Sequence, residues 1–338
     1  MKQVWIPRTG EPHVLEVREK ADPMPGVGEV RVRVEAAGVN FADLMTRIGV
    51  YPDAPPLPAV VGYEVAGVID EVGIGVERGK VGTPVVAATR FGGYSSHVVV
   101  SEVQAVRRPE GLDAVTAAAI PVTGLTAWMM LEEMARVREG DRVFVHSAGG
   151  GVGLAALDLI RRRGAIAVGT ASRWKHDMLM ELGYSKVVDY TTEDYERALA
   201  DDPPFDIVLD PIGGESWAKG FRLLRTGGKL VCFGFSAAAK GTTRNLVDYV
   251  SSAAKIPWLK FNPIALLNEN KAIMGVNMGR MWNEADRLSG WLGHLLELWA
   301  QGVLRVRVHA AVPFSRAADA HQILHDRENL GKVVLVPD

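Results

Sequence analysis

The sequence predicts an α/β protein of two domains, one a mostly antiparallel β barrel and the other a doubly wound parallel sheet. The chain has 338 residues, about twice the usual size of one domain. Up to about residue 120, short alternating strands are separated by Pro- and Gly-rich turns. Beyond residue 140, short apolar runs alternate with helical segments, which is typical of βαβ units.

The predicted barrel begins at residues 29–35, where apolar and charged side chains alternate as in a half-buried strand. Residues 65–72 and 81–87 are two further predicted strands. The Pro-rich stretch 51–58 predicts a loop rather than an element.

The predicted parallel sheet is built from short apolar strands separated by helices. The strands are residues 141–146, 165–171, 186–189, 205–210, 228–234 and 271–277. The helices are residues 152–163, 176–182 and 282–304, and residues 331–337 form a last strand. Residues 237–258 read as an insertion without a clear period.

Charge and cysteine usage exclude several classes of function. The formal net charge is −2, so no excess of Lys and Arg calls for nucleic acid or an anionic membrane as partner. Cys232 is the one cysteine, which excludes a disulfide within the chain and a multi-cysteine metal site. This usage fits a reducing compartment, and we expect a cytoplasmic protein.

Two segments bear on targeting. The N-terminus reaches Pro7 and Arg8 before a signal-peptide core can form. The uncharged stretch 114–131 just reaches the length of a membrane span, but Pro121 and Gly124 interrupt it. We interpret it as a buried helix followed by a loop and expect no membrane span.

The strongest motif is the Gly-rich stretch 146–153, HSAGGGVG. Ser147, Gly150 and Gly153 give the pattern S-x-x-G-x-x-G, with Gly151 and Val152 between the last two glycines. The motif follows a predicted strand and opens a predicted helix, which is the context of a dinucleotide-binding loop. Missing side chains let the backbone approach a pyrophosphate, and the helix start offers free N–H groups. The alternative is a tight Gly-rich turn.

The end of the second predicted strand bears on the choice of cofactor. An NAD site usually carries an acid here to bind the ribose hydroxyl. This chain has Ser172, Arg173 and Lys175 instead, which can bind a 2′-phosphate by charge-assisted hydrogen bonds. The sequence therefore favours NADP(H). The alternative is that both cations are solvated charges at a helix start.

Several motifs occur in one order along nearly the whole chain. GVNFAD lies at residues 38–43, PAVVGYEVAG at 58–67 and AAAIP at 117–121. With the Gly-rich loop they resemble the medium-chain dehydrogenase/reductase superfamily, and within it the quinone oxidoreductases. GTASRWKH at 169–176, VDY at 188–190, DPIGG at 210–214, RNL at 244–246 and NLGKV at 329–333 resemble the branch of vesicle amine transport protein homologues.

The resemblance implies an α/β fold with a GroES-like β-barrel catalytic domain and a Rossmann doubly wound parallel-sheet domain. The catalytic domain is expected at residues 1–122, completed by 305–338, and the NADP-binding domain at 123–304. A homodimer is also expected, with residues 271–277 as an edge strand that pairs with its copy.

The ligands of the family's zinc enzymes are absent from this chain. Their catalytic cysteine would fall near Gly38 and their histidine at Tyr63, and Glu64 alone cannot hold zinc. We therefore expect no metal site and hydride transfer without zinc.

The resemblance also implies the catalytic residues. Asn40 is expected near the nicotinamide and the substrate carbonyl, where its amide donates to a developing oxyanion. Tyr51 falls where the enoyl thioester reductases of the family carry a tyrosine, and it is expected to donate a proton or orient the substrate. The alternatives are that Asn40 caps a turn and Tyr51 packs on Pro52. Asp43 is expected to fix the following helix start.

The remaining cofactor contacts follow from the same resemblance. Thr123 and Thr126 are expected to line the nicotinamide side, and Tyr190 to lie by the adenosine phosphate. Gly234, Phe235 and Asn277 are expected near the nicotinamide, and Asn329 and Lys332 to reach the cofactor from the C-terminal stretch.

These observations favour an NADPH-dependent reductase of a small conjugated carbonyl, either a quinone or the C=C bond of an enal or enone. One alternative is an enoyl-thioester reductase of a polyketide or fatty-acid pathway, whose substrate is attached to a carrier protein. The other is an NADPH-binding interaction protein with little catalysis.

Overall fold

The computed structural model describes residues 1–238 and 261–338, which fall into two compact units. Within the described residues, the first unit comprises Met1–Leu125 and Met278–Asp338, and the second comprises the chain between them. Most of the predicted insertion 237–258, and the RNL motif at 244–246, lie outside the described residues. Residues 278–304 join the first unit, whereas the predicted domain division had placed them in the second; that division stays a prediction.

The first unit is built on a seven-stranded sheet. Its strands are β3 (Glu29–Val39), β4 (Glu64–Val72), β5 (Pro84–Ala88), β6 (His97–Ser101), β7 (Val106–Arg107), β14 (Val308–Pro313) and β15 (Lys332–Val336). They lie in the order β14-β15-β3-β4-β5-β7, and β6 pairs with β3 off this path. A separate hairpin-like pair joins β1 (Lys2–Trp5) to β2 (Glu16–Glu19). Every pairing is antiparallel except β14 with β15, which confirms the predicted barrel-like domain.

Strand β3 forms because its side chains alternate between the core and the surface. Val30, Val32 and Val34 are buried in the core of this unit. Arg31 points away from them and pairs with Asp70 of β4 across the sheet. The predicted strand at residues 29–35 is therefore correct, and the structure extends it to Val39.

The helices of the first unit are α1 (Phe41–Ile48), α2 (Ala114–Ala117), α3 (Pro121–Trp128), α9 (Ala285–Ala300) and α10 (Ala317–His325), with α3 running into the second unit. The stretch 114–131 was predicted as a buried helix followed by a loop, whereas the structure has helix on both sides of a short turn at residues 118–120. Pro121 begins α3, where its missing N–H costs nothing, and a π-helical turn at Met129–Met134 follows.

The helical segment Ala114–Met134 meets the length and composition of a membrane span. Of its most apolar window, 67% is buried inside the protein, as in the core helix of a globular domain. Among the described residues it is the one segment that meets this test, and one such segment is weak evidence for a membrane span.

The second unit contains a six-stranded sheet in which every pairing is parallel. Its strands are β8 (Arg142–Val145), β9 (Ile166–Ala171), β10 (Lys186–Asp189), β11 (Phe205–Asp210), β12 (Leu224–Cys232) and β13 (Ala272–Gly275). The described helices of this unit are α4 (Gly151–Arg162), α5 (His176–Leu182), α6 (Tyr195–Ala198), α7 (Glu215–Leu223) and α8 (Pro263–Glu269).

The order of this sheet is β10-β9-β8-β11-β12-β13. Numbered from β8, this is 3-2-1-4-5-6, the order of the Rossmann dinucleotide-binding fold. The strand order reverses between β8 and β11, and ligands of such sheets bind outside the carboxyl ends of the strands at that point. The predicted doubly wound parallel sheet is confirmed.

Candidate functional site

Three buried polar side chains meet where strand β3 of the first unit's sheet ends, although they are far apart in sequence. In the strand register, Val333 of β15 lies opposite Val39, and Ala37 of β3 lies opposite Val65. Continuing each register by one residue places Lys332 opposite Asn40 and Glu64 opposite Gly38. Two neighbouring strands thus bring a cation and a carboxylate to the end of β3.

The three side chains form one hydrogen-bonded cluster, which we call the Asn40 cluster: Asn40, Glu64 and Lys332. The Asn40 Nδ2 donates to Glu64 Oε1 at 2.8 Å, and the Lys332 Nζ donates to Asn40 Oδ1 at 2.5 Å. The Lys332 ammonium also pairs with Glu64 Oε1 at 2.5 Å, and Glu64 Oε2 accepts from the Val122 N–H at 2.7 Å. Asn40, Glu64 and Lys332 are only 8%, 0% and 5% exposed.

Asp43 links this cluster to the core. Its carboxylate accepts from the Asn40 backbone N–H at 2.8 Å, which fixes the start of α1 as predicted. It also accepts from the Gly62 N–H and from the Tyr94 hydroxyl, both at 3.0 Å. Burial raises the pKa of Asp43 to about 7, although these donors and the Lys332 charge oppose the shift.

The Tyr94 hydroxyl continues the network to a second buried titratable group. It lies 3.2 Å from His321 Nε2, and the Arg47 Nε donates to His321 Nδ1 at 3.3 Å. Burial, followed by the nearby Arg47 charge, lowers the pKa of His321 to about 3. His321 is therefore neutral in the folded protein at neutral pH.

These two shifts predict opposite effects of pH on the free energy of unfolding. The pKa of Asp43 is raised, so its stabilisation is complete below about pH 4 and is lost as the pH rises toward 7. The pKa of His321 is lowered, so its stabilisation is complete above about pH 6.5 and is lost as the pH falls toward 3. Each effect is on the order of 4 kcal/mol over its window, so the two largely cancel between pH 4 and 6.5.

Urea unfolding at a series of pH values tests this balance. We expect the stability of Asp43→Asn to rise with pH between 4 and 6.5, because the effect of His321 is then unopposed. We expect the stability of His321→Gln to fall over the same range. If stability depended on pH in the same way in the wild type and both variants, the two pKa shifts would not belong to Asp43 and His321.

Tyr51 lies in an aromatic cluster with Tyr63, Phe91 and Trp282. The Tyr63 ring centroid is 6.4 Å from that of Tyr51, 5.2 Å from Phe91 and 6.3 Å from Trp282. Burial raises the pKa of Tyr51, and Tyr63 opposes part of that shift. Tyr51 therefore keeps its proton at neutral pH, as a proton donor must.

The residues at the family's zinc positions do not fit a metal ion. A Cβ at Gly38 would lie 2.2 Å from Glu64 Oε1 and 2.7 Å from the Ala118 carbonyl oxygen, so a cysteine has no room there. Both oxygens of Glu64 are already engaged by Asn40, Lys332 and Val122. Among the described residues, no group of three or more His, Cys, Asp or Glu side chains is arranged to hold a metal ion.

The Gly-rich loop lies at the carboxyl end of β8, at the reversal point of the parallel sheet. Helix α4 begins at Gly151 after the N-cap residue Gly150, and no side chain caps it. The first-turn N–H groups of Gly151, Val152 and Gly153 therefore have no intrahelical partner. Ser147 adopts a left-handed conformation with φ 55°. This geometry fits a pyrophosphate, which such helix starts bind through N–H groups and the helix dipole.

Most other predicted cofactor residues of the second unit follow the carboxyl ends of its strands, where a bound dinucleotide is expected. Ser172, Arg173 and Lys175 follow β9, Tyr190 follows β10, Gly234 and Phe235 follow β12, and Asn277 follows β13. Gly234 has no room for a side chain, since its Cβ would lie 2.7 Å from the Pro211 carbonyl oxygen. Their roles stay predictions.

The residues after β9 form a small polar surface. The Ser172 and Tyr190 hydroxyls lie 3.3 Å apart. Arg173 is exposed and its guanidinium lies 3.2 Å from His176 Nδ1. Lys175 is largely buried and its ammonium lies 4.9 Å from the centroid of the Trp174 ring. Lys175 is therefore less open to a phosphate than Arg173.

The remaining predicted residues have internal partners. The Thr123 hydroxyl donates to the Ala119 carbonyl at 2.7 Å, and Thr126 is buried. The Asn329 Nδ2 donates to the Gly331 carbonyl at 2.7 Å. Lys332 is directed at Asn40 and Glu64, as described above. Their predicted contacts with the cofactor stay predictions.

One polar cluster of the second unit was not predicted from the sequence. The Ser216 hydroxyl donates to Asp210 Oδ2 at 2.6 Å, and His146 Nε2 lies 3.5 Å from that hydroxyl. Asp210 also accepts from the Ile212 and Gly213 N–H groups. Because Ser216 donates to Asp210 and the three side chains are buried, this cluster is a turn support and not a nucleophile site. The GG pair at 213–214 was the one local signal for such a turn.

Comparison with known proteins agrees with this architecture. Residues 26–110 match the family model of the alcohol dehydrogenase GroES-like domain, and residues 182–335 match that of the zinc-binding dehydrogenase. The synaptic vesicle membrane protein VAT-1 homolog of Rattus norvegicus is 40% identical over 328 residues, which are 96% of this chain and 80% of that protein. A quinone oxidoreductase of Pseudomonas aeruginosa is 32% identical over 343 residues, and the matched region covers 99% of this chain and 99% of that protein.

Two solved structures are similar over nearly their whole length. The human synaptic vesicle membrane protein VAT-1 homolog-like protein has a TM-score of 0.85 and 30% identity, with 99% of this chain and 98% of that chain covered. Escherichia coli quinone oxidoreductase complexed with NADPH has a TM-score of 0.86 and 28% identity, with both chains fully covered. The predicted family is confirmed: this chain belongs to the medium-chain dehydrogenase/reductase family, as a relative of its quinone oxidoreductases and VAT-1 homologues.

Proposed function

We propose that this protein is an NADPH-dependent oxidoreductase that reduces a quinone, or the C=C bond of a conjugated carbonyl, without a metal ion. The observation that carries the proposal is the buried Asn40 amide, whose Nδ2 donates to Glu64 and whose Oδ1 accepts from Lys332. NADPH, when bound, supplies the hydride. Asn40 Nδ2 donates to the oxygen on which negative charge develops. The protonated Tyr51 phenol donates the proton.

The family background supports this activity, since quinone oxidoreductases are among the relatives and structural neighbours. The decisive test is NADPH oxidation by the purified protein with a panel of quinones, enones and enoyl thioesters. We expect turnover with at least one quinone or enone. Turnover restricted to enoyl thioesters would favour the carrier-bound alternative.

A different outcome would favour an interaction role. The VAT-1 relatives are named as synaptic vesicle membrane proteins, which is not the name of an enzyme. Tight NADPH binding without turnover of any acceptor would support a nucleotide-binding interaction protein. The proposed cytoplasmic location is tested by cell fractionation, where recovery of the protein with the membrane pellet would contradict it.

The choice of NADPH over NADH rests on Arg173, the exposed cation after β9. Replacing Arg173 by alanine removes a charge-assisted hydrogen bond to the 2′-phosphate, so we expect about a tenfold weaker NADPH affinity. NADH affinity is expected to change less than about twofold, because NADH lacks that phosphate. Fluorescence titration with both nucleotides measures the two affinities.

The matched control is Arg316→Ala, which removes an exposed arginine paired with Asp319 in the first unit. It is expected to leave both affinities unchanged. Equal weakening of NADPH and NADH binding by Arg173→Ala would argue against a 2′-phosphate contact.

We also propose a homodimer. Strand β13 lies at the edge of the parallel sheet and, among the described residues, pairs only with β12. An unpaired strand edge is a template for pairing with a second copy. Light scattering at micromolar concentration is expected to give twice the 36.6 kDa mass of the chain. The monomer mass would contradict this proposal.

A further inference from the structure

Lys332 is a buried cation that contacts Asn40 and Glu64, and these two side chains are also hydrogen-bonded to each other. Its ammonium lies 2.5 Å from Asn40 Oδ1 and 2.5 Å from Glu64 Oε1, and the side chain is only 5% exposed. A buried ammonium is tolerated only where its charge and its N–H groups are satisfied. Both needs are met here by the other two members of the Asn40 cluster, Asn40 and Glu64.

Lys332 and Glu64 together determine which way the Asn40 amide faces. An ammonium group only donates hydrogen bonds and a carboxylate only accepts them. Asn40 Oδ1 must therefore face Lys332, and Nδ2 must face Glu64. The second N–H of Nδ2 has, among the described residues, only a long 3.5 Å contact with the Gly38 carbonyl, and it is the donor left for a substrate oxygen.

Lys332 also compensates the charge of Glu64. Without the ammonium, Glu64 would be a fully buried carboxylate 2.8 Å from the Asn40 nitrogen. Such an anion repels negative charge that develops on a substrate oxygen bound to the same amide. The ammonium therefore acts on the reaction in two ways, through orientation and through charge.

We infer that Lys332 is a positioning residue for the reduction: it keeps the Asn40 amide nitrogen available to the acceptor oxygen and neutralises Glu64 beside it. The inference rests on the proposed function. It gives Lys332 a role different from the cofactor contact that the family resemblance implies, and kinetics separate the two roles.

Lys332→Met removes the charge and the donors while keeping an unbranched side chain of similar length. We expect kcat to fall by about 100-fold and the NADPH dissociation constant to change less than about threefold. Lys332→Arg is expected to keep at least about a tenth of kcat, because it restores the charge and the donors.

The control is Lys229→Met, which removes a half-buried lysine that donates to the Ala135 carbonyl, and it is expected to leave kcat unchanged. If Lys332→Met instead weakened NADPH binding and left kcat intact, Lys332 would be a cofactor residue.

A double-mutant cycle tests whether Lys332 acts through Asn40. In an Asn40→Ala background, Lys332→Met is expected to lower kcat by less than about threefold, since the amide that it orients is already gone. Two losses that multiply in the double variant would overturn the inference. If Lys332→Met does not fold, Lys332→Gln enters the same cycle with the same expected loss of coupling.

A second readout does not depend on turnover. The Asn40 side-chain amide gives a nitrogen-15 NMR signal that is assigned by its disappearance in Asn40→Ala. Lys332→Met is expected to move this signal, and Lys229→Met is not. A signal unmoved by Lys332→Met would overturn the inference, whereas an inactive wild type with a moved signal would refute only the proposed reaction.

Discussion

Replacement of Asn40 by alanine is expected to lower kcat by about 100- to 1,000-fold, the loss that accompanies removal of one oxyanion donor. The NADPH dissociation constant should stay within about threefold of the wild type, because Asn40 acts on the substrate oxygen and not on the phosphates. Steady-state kinetics with the best quinone or enone of the panel, together with fluorescence titration of NADPH, measure both quantities.

The substitution can be separated from damage to the fold. Asn40 is the N-cap residue of α1, and Asp43, which accepts the N-cap backbone hydrogen bond, remains in place in the variant. The matched control is Asn262→Ala, since Asn262 caps α8 by accepting from the Ala265 N–H at 3.0 Å. That variant is expected to cost about 1 kcal/mol of stability and to leave kcat unchanged. A loss of kcat below about threefold in Asn40→Ala would remove Asn40 from the mechanism.

Gly153→Val is expected to weaken NADPH binding by about 100-fold or more, equivalent to about 2.7 kcal/mol. A Cβ at Gly153 would lie 2.6 Å from the Ala148 carbonyl oxygen and 2.7 Å from that of Ser147. Both atoms belong to the backbone of the loop, so the clash is relieved only if the loop moves relative to α4. That movement changes the direction of the N–H groups that are proposed to bind the pyrophosphate.

Gly290→Ala is the control for the glycine substitution. Gly290 lies inside α9, and outside the backbone of that helix a Cβ there would meet no atom of the described residues within 4 Å. The variant is expected to keep NADPH affinity and to gain about 0.5–1 kcal/mol of stability, because alanine favours a helix interior over glycine. If Gly153→Val does not fold, Gly153→Ala introduces the same Cβ with less bulk. Unchanged NADPH affinity in a folded Gly153 variant would contradict the proposed pyrophosphate site.

The secondary structure of the second unit was predicted closely because its signals are local. Strands β10 and β11 and helix α5 have the bounds that the sequence predicted, since each is a short run with a clear period between turn residues. The stretch 114–131, predicted as a helix followed by a loop, is helical on both sides of a short turn, because a proline ends a helix in one position and begins one in another. The immediate neighbours Ile120 and Val122 are both apolar, so neither is a capping residue that distinguishes the two positions.

The candidate site was predicted only in part. Asn40 was named as a donor because of a family motif, and the Gly-rich loop because its spacing carries its own physical reason. The partners of Asn40 were not predicted, because Lys332 lies 292 positions away and only strand register brings it there. The same holds for His321, which lies 227 positions from Tyr94.

The sequence by itself determined the two kinds of sheet, the position of the Gly-rich loop and the family of this protein. These properties depend on hydrophobic period, on glycine spacing and on motif order, all of which can be read along the chain without knowing which distant residues make contact. Only the tertiary structure decided that a lysine stands beside the proposed oxyanion donor and balances a buried glutamate. The physical reason is that a buried charge is tolerated only next to its partner, and strand pairing decides which partner that is.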